Sequence, residues 1–319
     1  MTKIFNLEEI KEAAKQIDLI SEIENGFIAF SEGKVNVPPV SEMLFDEPPG
    51  EVHIKYGYVE EDDVYVIKIA SGFYNNPALG LSSANGVMLV FSKNTGELLA
   101  ILLDEGYLTS VRTAVAGAIV AKYLAPKSIE KIGVIGTGIQ ARQQLEYLEK
   151  VTECRDVLVW GRNKKHAKDY ATEMNKKGFN VTVCNDTSDI GKNCNLIITT
   201  TSAAEPVLFD KYVKRGTHIT AVGSDTSEKN ELESLILAKA DIVVTDSLEQ
   251  CRSRGEIFQA WINGLISDNN VVELGNVIKD KSFQRASENQ LTVADLTGVA
   301  IQDIQIAKAV YKYLNENSK

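Results

Sequence analysis

The sequence predicts an α/β protein, a doubly wound parallel Rossmann sheet joined to an α+β domain. Three observations carry this expectation. From residue 131 onward, short apolar runs alternate with helical segments, the pattern of strands laid parallel with helices packed between them. The first of these runs, Ile132-Gly133-Val134-Ile135, leads straight into the glycine-rich turn Gly136-Thr137-Gly138-Ile139-Gln140-Ala141. Residues 51–104 instead read as successive β-rich runs with no helix between them, so they do not form a second unit of the same kind.

In chain order, residues 7–31 read as one helix. Ile10, Ala13, Ile17, Ile20, Ile23, Phe27 and Phe30 recur at helical spacing, and Gly33 with Pro38-Pro39 ends it. The runs VHIKYGYV, VYVIKIAS, NGVMLVFS and LLAILLD predict an antiparallel or mixed sheet. Turn signals at Asp62-Asp63, Asn75-Asn76-Pro77 and Asn94-Thr95-Gly96 separate them. LTSVRTAVAGAIVAKYL is an Ala-rich helix over 108–124, with Thr109 or Ser110 as its N-cap and Pro126 as its boundary. Strands IGVIG, DVLVWG, NVTVCN, NLIITTT, THITAVG and DIVVTD follow, with helices expected at 140–152, 164–177, 207–213 and 231–238. The segment 295–314 reads as a terminal helix. The expected domains are 1–125, joined by the C-terminal helix 300–319, and a Rossmann domain over 126–299.

Composition narrows the function. A chain of 319 residues can bury two cores. With 34 Lys+Arg against 44 Asp+Glu the net charge is −10, which disfavours nucleic acid and anionic membrane surfaces as partners but leaves an anionic small substrate open. No apolar run reaches the roughly 18 residues that span a bilayer. The opening MTKIFNLEEIKEAAKQ is amphipathic and carries acidic residues, unlike a signal peptide, so a cytoplasmic location is expected. Cys154, Cys184, Cys194 and Cys251 show no C-x-x-C pairing, and with three histidines no zinc site is expected.

The glycine-rich turn has a mechanical reading. Gly136 turns the chain tightly, Gly138 lets backbone N–H groups approach a pyrophosphate, and Ala141 lets the helix lie close to its strand. Thr137, Ile139 and Gln140 open a helix whose free donors and positive dipole end suit phosphate. The second Rossmann strand ends in Trp160-Gly161-Arg162-Asn163, where an NAD site usually places an acidic residue. A guanidinium suits a 2′-phosphate, so the expected cofactor is NAD(P)(H), leaning to NADP(H). Stacking of Arg162 on adenine keeps NAD(H) open, and a solvated helix start is the plain alternative.

Three cations stand in apolar surroundings. Lys68 lies in VYVIKIA and must emerge at a site, find a partner, or bear a large desolvation cost. An edge lysine facing water is its plain alternative. Lys55 lies in HIKYG. Arg112 falls near a helix N-terminus, where a cation is unfavourable, so a carboxylate ligand or an internal salt bridge should justify it. Asp225 follows the strand THITAV at the edge where open α/β sheets bind ligands, and suits either an acid/base or a helix cap.

Taken in order, Lys68, LTSVRTAVAGAIVAKYLAP, IGVIGTGIQAR, THITAVGSDTSEKNEL, GEI at 255–257 and LTVADLTGVAIQDIQIAK resemble the ornithine cyclodeaminase/mu-crystallin family over nearly the whole chain. The resemblance implies a homodimer whose N-terminal part and C-terminal helix form a dimerisation and substrate domain. It implies a Rossmann domain binding NAD(P), and hydride exchange at Cα of an amino acid through an imine. By position Arg112 matches the arginine that clamps the substrate carboxylate, and Lys68 the lysine beside the imine or carboxylate. Asp225 matches the carboxylate that handles the amine in cyclodeaminases, and Ser83 a threonine near the substrate. Gly298 falls where the family approaches the nicotinamide. Thr200 and Gly223 join Gly136, Thr137, Gly138, Ile139, Gln140, Arg162 and Asn163 as expected cofactor contacts.

One departure bears on specificity. Many members carry arginine where this chain has Lys55, and lysine keeps the charge without the planar fork. HIKYG, IASGFYNNP, SSANG and VADLTG resemble a subgroup that includes iminosuccinate reductase and proteins linked to ectoine use. An extra cation with Ser82, Ser83 and Asn85 suits a second carboxylate. The expected function is an NAD(P)-dependent imino-acid reductase or amino-acid dehydrogenase. Its rivals are an ornithine or lysine cyclodeaminase with no net redox change, and a nucleotide-loaded binding protein of the mu-crystallin kind.

Overall fold

The structure, a computed structural model, describes residues 2–73 and 75–317. Tyr74, within the run IASGFYNNP, and positions 318 and 319 of the expected C-terminal segment lie outside the described residues. The chain divides into two compact units, Met1–Arg112 with Ala300–Lys319, and Thr113–Val299. The first division therefore falls inside a helix, between Arg112 and Thr113, and not at the 125/126 boundary that Pro126 suggests. A proline ends a helix, but a helix can be shared between two units along its length.

The first unit contains β1 (Lys3–Phe5), α1 (Leu7–Gln16), α2 (Leu19–Ser31), β2 (Val35–Asn36), β3 (Ser41–Phe45), β4 (Gly50–Val59), β5 (Val64–Phe73), β6 (Ala84–Ser92) and β7 (Leu98–Leu102). The strands form one sheet in the order β1-β7-β6-β5-β4-β2, with β3 also on β4. Only β1 and β7 run parallel, so the sheet is mixed. The single helix expected over 7–31 is two. Ile17 is extended, at φ −102° and ψ 137°, and Asp18 restarts the helix by accepting from the Ser21 N–H. The apolar spacing runs on across the break, so periodicity alone could not reveal it. A terminal helix, Ala300–Asn317, packs on α2 and across β4 and β5. Gly26 permits the close approach, because a Cβ there would lie 2.5 Å from Gln305 Cγ.

The second unit continues α3 (Tyr107–Leu124) and adds β8 (Ile132–Ile135), α4 (Ile139–Leu148), β9 (Asp156–Trp160), α5 (Lys164–Lys176), β10 (Asn180–Val183), α6 (Thr187–Asn193), β11 (Leu196–Thr199) and β12 (His218–Ala221). After these come α7 (Ser234–Lys239), β13 (Ile242–Thr245), α8 (Gly255–Ile262), β14 (Val271–Glu273), α9 (Leu274–Lys279) and β15 (Thr292–Asp295). The eight strands are all parallel, in the order β10-β9-β8-β11-β12-β15-β13-β14. The order reverses between β8 and β11, which places a crevice at their carboxyl ends. This is the doubly wound parallel sheet the sequence predicts.

Three local expectations are corrected. Residues 207–213 hold a bridge at Leu208 and a single 3-10 turn, Asp210–Tyr212, in place of a helix. The start of the segment 295–314 is not helical: Thr292–Asp295 is a central strand, and the helix begins at Ala300 after Gly298 at φ +85°. Thr109 and Ser110 lie inside α3, and the Asp104 carboxylate accepts from the Leu108 N–H at 2.9 Å at the helix start. Among the described residues no helix is long and apolar enough to cross a membrane.

Candidate active site

In the first unit the sheet and two helices bring charge into a dry interior. Lys68 on β5 is 3% exposed and Arg112 on α3 is 5% exposed. Both reach Asp303 on the terminal helix, itself 1% exposed. Arg112 Nε donates to Asp303 Oδ1 at 2.9 Å, and Lys68 Nζ lies 3.5 Å from Asp303 Oδ2. Arg112 Nη1 donates to Gln302 Oε1 at 3.1 Å. Lys55 on β4 stands directly opposite Lys68 in the antiparallel ladder, so the two lysines share a face. Like charges opposed across strands repel, and burial adds to the cost.

The ionisation states follow from these neighbours. Burial pushes the Lys68 ammonium below its ordinary range; Asp303 pulls it back and Arg112 pushes it down further. Burial also opposes ionisation of Asp303, but the charges of Arg112, Lys68 and Lys55 outweigh it and hold the carboxyl below the usual range. Asp104, buried ahead of α3, is raised by desolvation against the pull of nearby N–H groups and Lys68. The arrangement gathers three cations around the ionised carboxylate of Asp303.

Ser83 is not brought into this group. Its carbonyl accepts from Phe73 N–H, five residues beyond Lys68 along β5, or about 17 Å at the rise of a strand. An odd offset also turns it to the opposite face of the sheet.

In the second unit the expected nucleotide residues gather at the carboxyl ends of β8, β9, β11 and β12. Gly136 sits at φ +127°, and a Cβ there would lie 2.3 Å from Thr200 Oγ1. Gly138 is the N-cap of α4 and makes no side-chain capping bond, and a Cβ there would meet nothing within 4 Å. The space a Cβ would occupy at Gly138, at the N-terminus of the helix that Ile139 and Gln140 open after Thr137, is empty, which fits the close approach of a dinucleotide pyrophosphate. Arg142 braces the loop, donating to the carbonyls of Thr137 and Gly138 and, at 2.6 Å, to Glu173 on α5. Arg162 is exposed just past β9, while the Asn163 side chain is engaged as the cap of α5, accepting from Lys165 N–H at 2.9 Å.

Behind this edge lies a set of buried carboxylates that sequence reasoning did not single out. Glu231 accepts at 2.8 Å from Thr199 Oγ1, Thr201 Oγ1 and Gly223 N–H, and also from Thr201 N–H. It thereby ties the end of β11 to the end of β12. Glu256 accepts from the N–H groups of Glu231 and Leu232 at 2.8 and 2.9 Å. Asp246 accepts from Gly298 N–H at 2.6 Å and from Thr297. Asp295 accepts from Ile257 N–H at 2.8 Å, and burial pushes its carboxyl up to about 8. Asp225 lies in the loop after β12, half exposed and 2.5 Å from Lys229. It caps no helix, since α7 begins only at Ser234.

Among the described residues no group of three or more His, Cys, Asp or Glu could hold a metal ion.

The sequence profile described as "Ornithine cyclodeaminase/mu-crystallin family" matches residues 1–318, and the chain belongs to that family. Three solved structures are similar throughout. An archaeal alanine dehydrogenase dimer with bound NAD is 32% identical, with a TM-score of 0.89 and coverage of 100% of this chain and 97% of that one. Thermococcus litoralis Δ1-pyrroline-2-carboxylate reductase, in complex with NADH and L-proline, is 28% identical, with a TM-score of 0.92 and coverage of 99% and 98%. The iminosuccinate reductase of Paracoccus denitrificans, in complex with NAD+, is 29% identical, with a TM-score of 0.87 and coverage of 99% and 97%. Homologues of this chain are NAD(P)-dependent imino-acid reductases and cyclodeaminases.

Proposed function

We propose that this protein is an NAD(P)-dependent imino-acid reductase or amino-acid dehydrogenase, with a dicarboxylic imine of the iminosuccinate kind as substrate. The observation that carries the reading is the buried pair of cations, Lys68 and Arg112, converging on the single carboxylate of Asp303. Two cations compensated by one carboxylate favour an anionic ligand. Lys55, opposite Lys68 in place of an arginine, supplies the third positive group for a second carboxylate.

A reduced nicotinamide held beside Thr200, Gly223 and Gly298 would supply the hydride for the imine carbon. Arg112 binds the α-carboxylate with its guanidinium fork. Lys68 holds the proton that the imine nitrogen takes as its C=N bond is reduced. Excluding water strengthens both contacts and protects the imine from hydrolysis. Asp225 is the acid/base candidate of the nucleotide unit, with Lys229 beside it. Gly136, Thr137, Gly138, Ile139 and Gln140 take the pyrophosphate, Thr200, Gly223 and Gly298 the nicotinamide side. Ser83 and Asn163 are assigned no contact in this reading, since the Ser83 carbonyl pairs with Phe73 N–H and the Asn163 side chain caps α5.

Arg162 follows a strand end that carries no carboxylate in Trp160-Gly161-Arg162-Asn163, which supports NADP(H). Arg162→Ala is expected to weaken NADPH binding about tenfold and NADH binding little, as followed by nicotinamide fluorescence. The assembly is a homodimer in this reading. A similar structure is a dimer, and β3 exposes Met43, Leu44 and Phe45.

The deciding assay follows NADPH and NADH absorbance with ammonia and a panel of 2-oxo acids, oxaloacetate included, and cyclic imines. Consumption with oxaloacetate and ammonia supports the reading. Consumption only with a cyclic ketimine overturns the dicarboxylic substrate. Release of ammonia from ornithine or lysine without net absorbance change makes the protein a cyclodeaminase.

A further inference from the structure

We infer that Asp303 is the positioning residue of this site, fixing the Arg112 guanidinium through Oδ1 and keeping a proton on Lys68 through Oδ2. The inference rests on the reading that Arg112 and Lys68 face the substrate, and adds what governs them.

The geometry separates two tasks on one carboxylate. Oδ1 takes the Arg112 Nε–H at 2.9 Å while the neighbouring Gln302 takes Nη1–H at 3.1 Å. With two of its three nitrogens held by adjacent residues of one helix, the guanidinium plane is set by the protein before any ligand arrives. Oδ2 is left for Lys68, 3.5 Å away, and no donor bonds it at hydrogen-bond geometry.

Lys68 needs that oxygen. The charged and titratable groups that face it are Lys55 from β4, Arg112 from α3, Asp104 from the turn before α3, and Asp303 from the terminal helix. Two of the four are cations. Asp104 is committed to the Leu108 N–H at 2.9 Å, and its burial disfavours the ionised form. Asp303 is the carboxylate whose surroundings favour ionisation. Without it, a lysine 3% exposed would keep its burial and the Arg112 charge against it and lose the largest opposing charge, so its proton would be held less tightly. A counter-ion that only balanced charge would not need to contact both cations through separate oxygens.

The test reads the Lys68 proton directly. Protein labelled with [ε-13C]lysine is titrated by NMR, and the Lys68 resonance is assigned by its loss in Lys68→Met. In Asp303→Asn the Lys68 midpoint is expected to fall by about one pH unit or more, and in Asp303→Glu to stay near that of the parent. An unchanged midpoint in Asp303→Asn overturns the proposal. Should that variant not fold, the parent protein labelled at aspartate Cγ decides. The Asp303 carboxyl resonance must shift in the same pH step as the Lys68 ε-carbon, and independence of the two overturns the proposal. The pH profile of reductase turnover then separates the two readings. A profile that moves with the NMR midpoint supports both. An NMR shift with an unmoved profile leaves Asp303 as the residue controlling Lys68 and removes Lys68 from proton delivery.

Discussion

Asp303 in the first unit and Asp295 in the second are equally buried, each 1% exposed, yet their ionisation is pushed in opposite directions. Asp303 lies among Arg112, Lys68 and Lys55, and is held ionised. Asp295 faces backbone N–H groups with Asp246 and Glu231 nearby, and its carboxyl rises to about 8. Desolvation acts the same way on both. The sign of the neighbours decides, because a full opposite charge in a dry site outweighs what one or two N–H dipoles return. One unit is built to hold anions against cations. The other holds its carboxylates mostly as hydrogen-bonding braces behind a nucleotide edge.

The comparison can be broken most severely at Arg112. Arg112→Met removes from Asp303 the cation that hydrogen-bonds it at 2.9 Å. We expect turnover to fall by more than about 10³-fold and stability by about 3 kcal/mol, with nucleotide affinity unchanged. Steady-state rates, denaturant unfolding and nicotinamide fluorescence on one preparation check all three, and undiminished turnover would remove Arg112 from the site.

On the other side, Glu231→Ala strands the donors of Thr199, Thr201 and Gly223. A loss of about 3 kcal/mol in unfolding free energy is expected, together with roughly tenfold weaker nucleotide binding. Affinity equal to that of the parent would show that the β11 and β12 ends hold their places without the brace.

The pH dependence sharpens the contrast without removing any contact. Asp295 has a folded pKa of about 8, above the ordinary 3.8, so the folded state binds a proton that the unfolded state has released. Its contribution to stability is largest below about pH 4, declines as pH rises, and levels above about pH 8. Asp303 behaves oppositely: its stabilisation is present above the ordinary carboxylate range and is lost on acidification below it. Asp295→Asn keeps an acceptor for Ile257 N–H and removes the titration. Between pH 5 and pH 8 the parent should lose roughly 4 kcal/mol more than this variant in denaturant unfolding. Parallel losses would mean that Asp295 does not carry the proton.

How much of this was legible in the sequence depends on how local each feature is. The glycine turn is read within six residues, because each small residue answers a local steric demand. Lys68 and Arg112 stood out as charges inside apolar runs. Asp303, their shared partner, was missed although VAIQDIQIA carries the same signal; it lies 191 residues from Arg112, and spacing cannot link them. Glu231 and Glu256 lay in stretches noted only for resemblance, since a buried glutamate satisfied by backbone donors looks like a surface one. The expected helix over 295–314 begins on the last residue of β15 because the strand end, a glycine loop and a long amphipathic helix merge into one apolar stretch. The wholly exposed β3 offers no apolar alternation to find.

The late insertion of β15 has a consequence for how the protein is made. The strand that separates β12 from β13 is residues 292–295, and the helix completing the first unit follows at once. Neither unit can close until residues 292–317 have left the ribosome. The first 112 residues wait while Thr113–Val299 is translated, about 10–40 s at ordinary elongation rates. Through that interval their sheet lacks its covering helix, and the parallel sheet has a gap where its sixth strand belongs. The cell therefore handles a nascent chain with two unfinished apolar faces, whose folding is timed by residues 292–317 and not by its first strands.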